Sequence, residues 1–303
     1  VGINYTDSWS IRRRLAKSLW LTFFKPGQRL PRVPGYRMLW RLHAGELASV
    51  YAARREKDGL RVAIKMPTFL PPILNPDLLR EVKAWSKLNH PHAVRVYECP
   101  ERPPHWIAME YMEGGSLRKR IGQLSVADSL EIGVKLAGAL SQARRLGVTH
   151  RNIKPENVLF DRGETPKLTD WRIGAVMLRV TEPGGTPRET VEYLAPERIS
   201  TEFGGADWRT DIYQLGVLMY EMVTGKTPFQ GDREVVMERI KEEEPAGPSQ
   251  INPEVSQKLD LIILGCLAKH KEDRYQDAAT LMGDLQAAVQ SCSIVSQTRI
   301  PVA

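Results

Sequence analysis

The sequence predicts an α+β fold in two lobes, a small antiparallel sheet carrying one helix followed by a larger, mainly helical lobe. Three observations predict it. At 303 residues the chain exceeds the usual size of a single domain, so two lobes with separate cores are expected. Between residues 36 and 64 apolar and polar residues alternate, with turn signals at Gly45 and Asp58-Gly59, the pattern of three antiparallel strands. From residue 125 onward helical periodicity takes over, in stretches at 125–146, 211–223, 259–267 and 277–289.

Residues 1–35 form a separate arm. They hold Arg12, Arg13, Arg14, Lys17, Lys25, Arg29 and Arg32 against Asp7, which is +6 of the total net charge of +7. Because the charge belongs to the arm, the protein is not expected to bind nucleic acid on charge grounds. Within residues 8–24, Ile11, Leu15 and Leu19 recur at four-residue steps beside Trp20, Phe23 and Phe24, the spacing of a basic amphipathic helix. Two placements follow: the apolar stripe docks on the next lobe, or it meets an anionic membrane surface or a partner. The longest apolar run, 19–24, is interrupted by Thr22 and far shorter than the ~20 residues of a spanning helix. No small-residue cleavage pattern follows it, so a signal peptide is not expected. Pro26, Gly27, Pro31, Pro34 and Gly35 then mark the domain boundary. Cys99, Cys266 and Cys292 are odd in number and widely spaced, which reads as reduced thiols of a cytoplasmic protein. Residues 291–303 read as a short polar, flexible tail.

The motifs come next. Val62-Ala63-Ile64-Lys65 closes the third strand, and residues 76–88 form a helix with Leu78, Leu79, Val82, Trp85 and Leu88 on one face and Glu81 among them. Strands at 93–98 and 105–109 lead to Met109-Glu110-Tyr111-Met112. Ser125, with Asp128 three residues on, caps the long helix that delivers the chain to His150-Arg151-Asn152-Ile153-Lys154-Pro155-Glu156-Asn157. Asp170-Trp171-Arg172, Ala195-Pro196-Glu197, Asp211-Ile212-Tyr213-Gln214-Leu215-Gly216 and Arg274 follow in that order. This series resembles the protein kinase superfamily, of the bacterial serine/threonine type, over residues 36–290.

The resemblance implies an N-lobe at 36–109, a hinge at 110–115 and a C-lobe at 116–290. It implies ATP with Mg2+ as the cofactors. Lys65 would contact the α and β phosphates and pair with Glu81, and Asn157 and Asp170 would ligate the metal. Backbone groups of Glu110 and Met112, at the exit from Met109, would bond an adenine edge between Leu42, Val50, Ala63 and Leu159. Of the three lid glycines only Gly45 remains, with His43 and Ala48 at the other two positions, which stiffens the lid. Lys154 would contact the transferred phosphate and Thr190 would bridge Lys154 to position 152. Asp211 would bond the catalytic-loop backbone, Arg274 would pair with Glu197, and Trp171 would fill an apolar column through His150 and Trp85. Arg172 stands where the family has a glycine, and Arg151 is placed to receive a phosphorylated Thr181 or Thr186.

Asn152 stands where the family has the aspartate that accepts the proton of the substrate hydroxyl. A carboxamide orients a hydroxyl but has no proton affinity near neutral pH. The expectation is therefore a pseudokinase that binds Mg-ATP and acts through protein contacts. Two alternatives stay open: an active, atypical serine/threonine kinase, and a scaffold that binds no nucleotide. No partner or protein substrate is named by the sequence.

Overall fold

The computed structural model of the protein describes residues 30–45, 48–67, 75–102, 104–171 and 190–298. The arm at 8–24, Arg172, Thr181 and Thr186 lie outside the described residues.

The alternating stretch forms β1 (Tyr36–Ala44), β2 (Ala48–Arg55) and β3 (Arg61–Pro67), joined by β4 (Val96–Glu98) and β5 (Ile107–Glu110) in one sheet. Strand order is β1-β2-β3-β5-β4, every pair antiparallel. Period-two side chains give β3 two faces. Val62 and Ile64 pack outward with Tyr36, Ala53, Trp106 and Ala108, while Ala63 belongs to the main core. Helix α1 (Asn75–Ser86) lays Leu78, Val82 and Trp85 on that core, and the Trp85 indole donates to the Val94 carbonyl at 2.9 Å.

The predicted strand at 93–98 is divided. Only 96–98 stays in the N-lobe sheet. Ala93 pairs in parallel with Leu168, and the Val94 N–H donates to the Leu168 carbonyl at 2.8 Å. This crossover stitches the lobes together, and the core follows it. One cluster runs from Ala63, Trp85 and Ile107 into Leu130, Leu136 and Leu218 and so spans both lobes, while the N-lobe keeps a second cluster of its own around Tyr36, Val62, Ile64 and Trp106.

The larger lobe is built on α2 (Val126–Arg145), α3 (Pro196–Ile199), α4 (Trp208–Thr224), α5 (Arg233–Glu242), α6 (Gln257–Cys266) and α7 (Ala278–Thr298), with a small sheet of β6 (Gly115–Ser116), β7 (Val158–Phe160) and β8 (Pro166–Leu168). Ser125 and Asp128 form the expected capping box on α2, satisfying two end groups of the helix at once. Helix α4 is buried all round from Thr210 to Val223, as its mainly apolar sequence requires, and its few polar side chains, Asp211, Gln214 and Glu221, are all hydrogen-bonded. The last helix continues to Thr298, past residue 291 where the tail was expected to start. Among the described residues no helix is long and apolar enough to cross a membrane.

Candidate active site

The catalytic-loop stretch is held from beneath by α4. Asp211 accepts from the amides of His150 and Arg151 at 2.7 and 2.6 Å, as the resemblance implies. These charge-assisted bonds hold Arg151 at φ 63°, a left-handed backbone that a non-glycine residue adopts only under constraint. The turn places Asn152 half-buried at the surface of the cleft, its amide donating to His150 Nδ1 at 3.3 Å and its carbonyl accepting from Asn157 Nδ2 at 2.8 Å. Burial pushes the His150 imidazole down to about 4, against a smaller upward pull from the Asp170 charge, so the ring is a neutral packing element. Trp171, fully buried, stacks on it with centroids 4.8 Å apart, and its indole donates to the Leu168 carbonyl at 3.2 Å. The apolar slot accepts the larger aromatic.

Lys154 Nζ donates to Thr190 Oγ1 at 3.0 Å, bringing together two expected site residues 36 positions apart. Across the cleft, Lys65 reaches from β3 to Asp170 Oδ2 at 2.6 Å. The expected partner of Lys65 was Glu81, and this is corrected: the carboxylate it holds is Asp170, while buried Glu81 lies 3.5 Å from Arg80. The reason is local backbone. Asp170 sits at φ 66°, which turns its side chain toward β3, and an ammonium is a compact charge that settles on the carboxylate within reach.

Asp170 Oδ1 is buried and has no hydrogen-bond partner among the described residues. Such an orphan acceptor is costly in a protein interior, and a bound hard cation relieves it. Asn157 is also buried, and its carbonyl accepts from the Thr169 amide beside Asp170 at 3.0 Å. Magnesium takes one or two protein oxygens plus phosphate oxygens, so Asp170 and Asn157 fit it.

The residues expected to wall an adenine belong to one core. Ala63 faces Met109 in the β3–β5 register, and Leu42, Val50 and Leu159 pack half-buried on the same core. The Glu110 side chain accepts from Lys167 Nζ at 2.6 Å and from the Arg95 amide at 3.3 Å, and Met112 is buried beside it. At the lid, the Gly45 amide donates to the Ala48 carbonyl at 3.0 Å, and a Cβ at Gly45 would stand 3.0 Å from His43 Nε2 and 3.1 Å from that carbonyl. A side chain at Gly45 would therefore need the exposed His43 ring and the Ala48 carbonyl to give by a few tenths of an ångström.

Beneath the acceptor side, Arg274 meets Glu197 through two bonds of 2.9 and 2.8 Å with both side chains fully buried. Burial pushes the Glu197 carboxyl up, but the Arg274 guanidinium and the Thr210 hydroxyl outweigh it and hold the group below its ordinary range. Two further residues were missed by sequence reasoning. Arg118 joins Glu156 at 2.7 Å, Glu221 at 2.5 Å and the Tyr193 hydroxyl at 3.1 Å, and Gln214 bonds the catalytic-loop backbone. Their partners are 38 to 103 residues away, beyond any local pattern.

The chain matches the protein kinase domain over residues 36–284. It belongs to the protein kinase family. A probable serine/threonine-protein kinase of Streptomyces coelicolor is 33% identical over 264 residues, covering 82% of this chain and 39% of that protein. The serine/threonine-protein kinase PrkC of Bacillus subtilis is 32% identical over 263 residues, covering 84% of this chain and 40% of that protein. The kinase domain thus spans about two fifths of the length of these relatives. In structure it is similar to the kinase domain of Mycobacterium tuberculosis PknI, with a TM-score of 0.64 over 84% of this chain and 95% of the other at 24% identity, a likeness of fold.

Proposed function

We propose that this kinase domain binds ATP with magnesium in the cleft between its lobes and is an atypical serine/threonine protein kinase, slow because position 152 lacks a base. The observation that carries the reading is the Lys154–Thr190 bond, 3.0 Å long, which assembles the acceptor side of the site next to Asn152. The names of the curated relatives support the same class.

Magnesium, held by Asp170 and Asn157, would neutralise charge on the phosphate oxygens. Lys65 would leave the Asp170 carboxylate to share its charge with the α and β phosphates. Asn152 offers its amide oxygen to the acceptor hydroxyl and fixes its line of approach, while the proton departs to solvent or to the phosphate itself. Lys154, steadied by Thr190, balances charge on the moving phosphoryl group. Positioning and charge neutralisation supply most of the acceleration in such reactions, whereas a general base contributes about 10²–10⁴-fold, so a residual rate is expected.

Asn152 itself favours a second reading, a pseudokinase that binds nucleotide and acts through contacts. Phosphate incorporation separates the two. Metal-dependent labelling of serine or threonine in a protein acceptor, lost in Asp170→Ala, is the expected outcome. Labelling at background with retained nucleotide binding would establish the pseudokinase instead.

A further inference from the structure

Gln214 lies on α4 one turn beyond Asp211, 3% exposed, where the apolar run of the helix needs no polar side chain. Its carboxamide is fully engaged with backbone. Oε1 accepts from the Ile153 amide at 2.9 Å, and Nε2 donates to the Arg151 carbonyl at 3.4 Å and the Tyr193 carbonyl at 3.2 Å.

The first two of these contacts have a specific meaning. The Arg151 carbonyl belongs to the peptide unit on the N-terminal side of Asn152, and the Ile153 amide to the unit on its C-terminal side. Peptide units are planar, so holding both leaves the backbone at residue 152 little freedom. One side chain therefore sets the direction in which position 152 projects. The third contact reaches Tyr193, three residues past Thr190, so the same amide fixes position 152 against the acceptor-side segment. A leucine has neither donor nor acceptor, and a carboxylate lacks the two donors; a carboxamide of this length supplies all three bonds.

We infer that Gln214 is a positioning residue, which aims the side chain at 152 and locks its distance from the segment at 190–193. Its catalytic consequence rests on the kinase reading above; its structural consequence does not. The test pairs hydrogen exchange with kinetics. In the unaltered protein the Ile153 amide exchanges as slowly as the Arg151 amide, which Asp211 holds. In Gln214→Leu the Ile153 amide exchanges about 10-fold faster or more, while the His150 and Arg151 amides keep their protection. Nucleotide affinity, read by titration with Mg-ATP, stays within about twofold, since no bond to the cleft walls is lost.

Kinetically, Asn152→Asp accelerates transfer less in the Gln214→Leu background than alone, because a base that is poorly aimed is a poor base. Were Gln214 merely a helix stabiliser, its replacement would lower the melting temperature and leave the two substitutions additive. Additive rates, or an Ile153 amide that exchanges freely in the unaltered protein, would overturn the inference. Should Gln214→Leu fail to fold, the exchange pattern of the unaltered protein still decides. Should no variant transfer phosphate, the kinase reading falls while the exchange result judges the clamp.

Discussion

At the residue scale the outcome turns on Asn152, whose neighbours are all in place. Asn152→Asp adds a proton acceptor at a position where Lys154, Thr190 and Asn157 are already arranged, and it is expected to raise transfer by about 10²–10⁴-fold, read as initial rate on a serine or threonine acceptor. A rise under about threefold would place the limitation in the lid at His43 and Ala48 or at Arg172. His150 supplies a second expectation. Its folded-state value of about 4 lies below the ordinary 6.5, so between these limits the unfolded chain binds the proton that the buried ring refuses. Stability is therefore full above about pH 6.5 and is lost as pH falls toward 4. Denaturant titrations across that window should show a shallower acid limb in His150→Gln than in the parent; an unchanged limb would assign the loss to carboxylates. Residue identities were legible wherever a motif carried them. The partner of Lys65 was not, because a lysine tether reaches any carboxylate a few ångströms away and the choice was made by the backbone turn at Asp170.

At the scale of elements, helix α4 supplies Asp211 and Gln214 to the catalytic loop, Gln214 also to Tyr193, and Glu221 to Arg118, so it acts as the bed of the catalytic loop. Arg274, from the loop after α6, closes the same bed against Glu197 at the start of α3. Arg274→Ala would leave a buried carboxylate without its cation and is expected to destabilise the domain by about 3–5 kcal/mol, read by urea unfolding. A loss below 1 kcal/mol would mean that water enters and solvates Glu197. Strong periodicity made the helices legible, and the Ser125 cap fell where expected. The strand at 93–98 was misjudged because its alternation is the same whether its backbone pairs with β5 or with β8. The last helix is longer than expected because the polar residues after Val289 read as a tail, whereas no glycine or proline between Val289 and Thr298 ends the helix.

At the scale of the whole molecule, the two lobes share one hydrophobic cluster and are joined at the cleft by the Lys65–Asp170 pair, 105 residues apart in sequence. Mg-ATP at a hundred times its dissociation constant would add about 2.7 kcal/mol of stability, roughly 4–5 °C in melting temperature for a chain of this size. Lys65→Ala is expected to abolish the shift. No shift in the unaltered protein at millimolar nucleotide would favour a scaffold that binds none. The amino-acid sequence alone determined the family architecture, the order of the motifs and the loss of the base at 152, since these depend on residue type and on neighbours within a few positions. Tertiary structure decided the continuous core, the partner of Lys65 and the carboxamide clamp around Asn152. Those contacts join residues tens of positions apart, and only the folded geometry brings them within bonding distance.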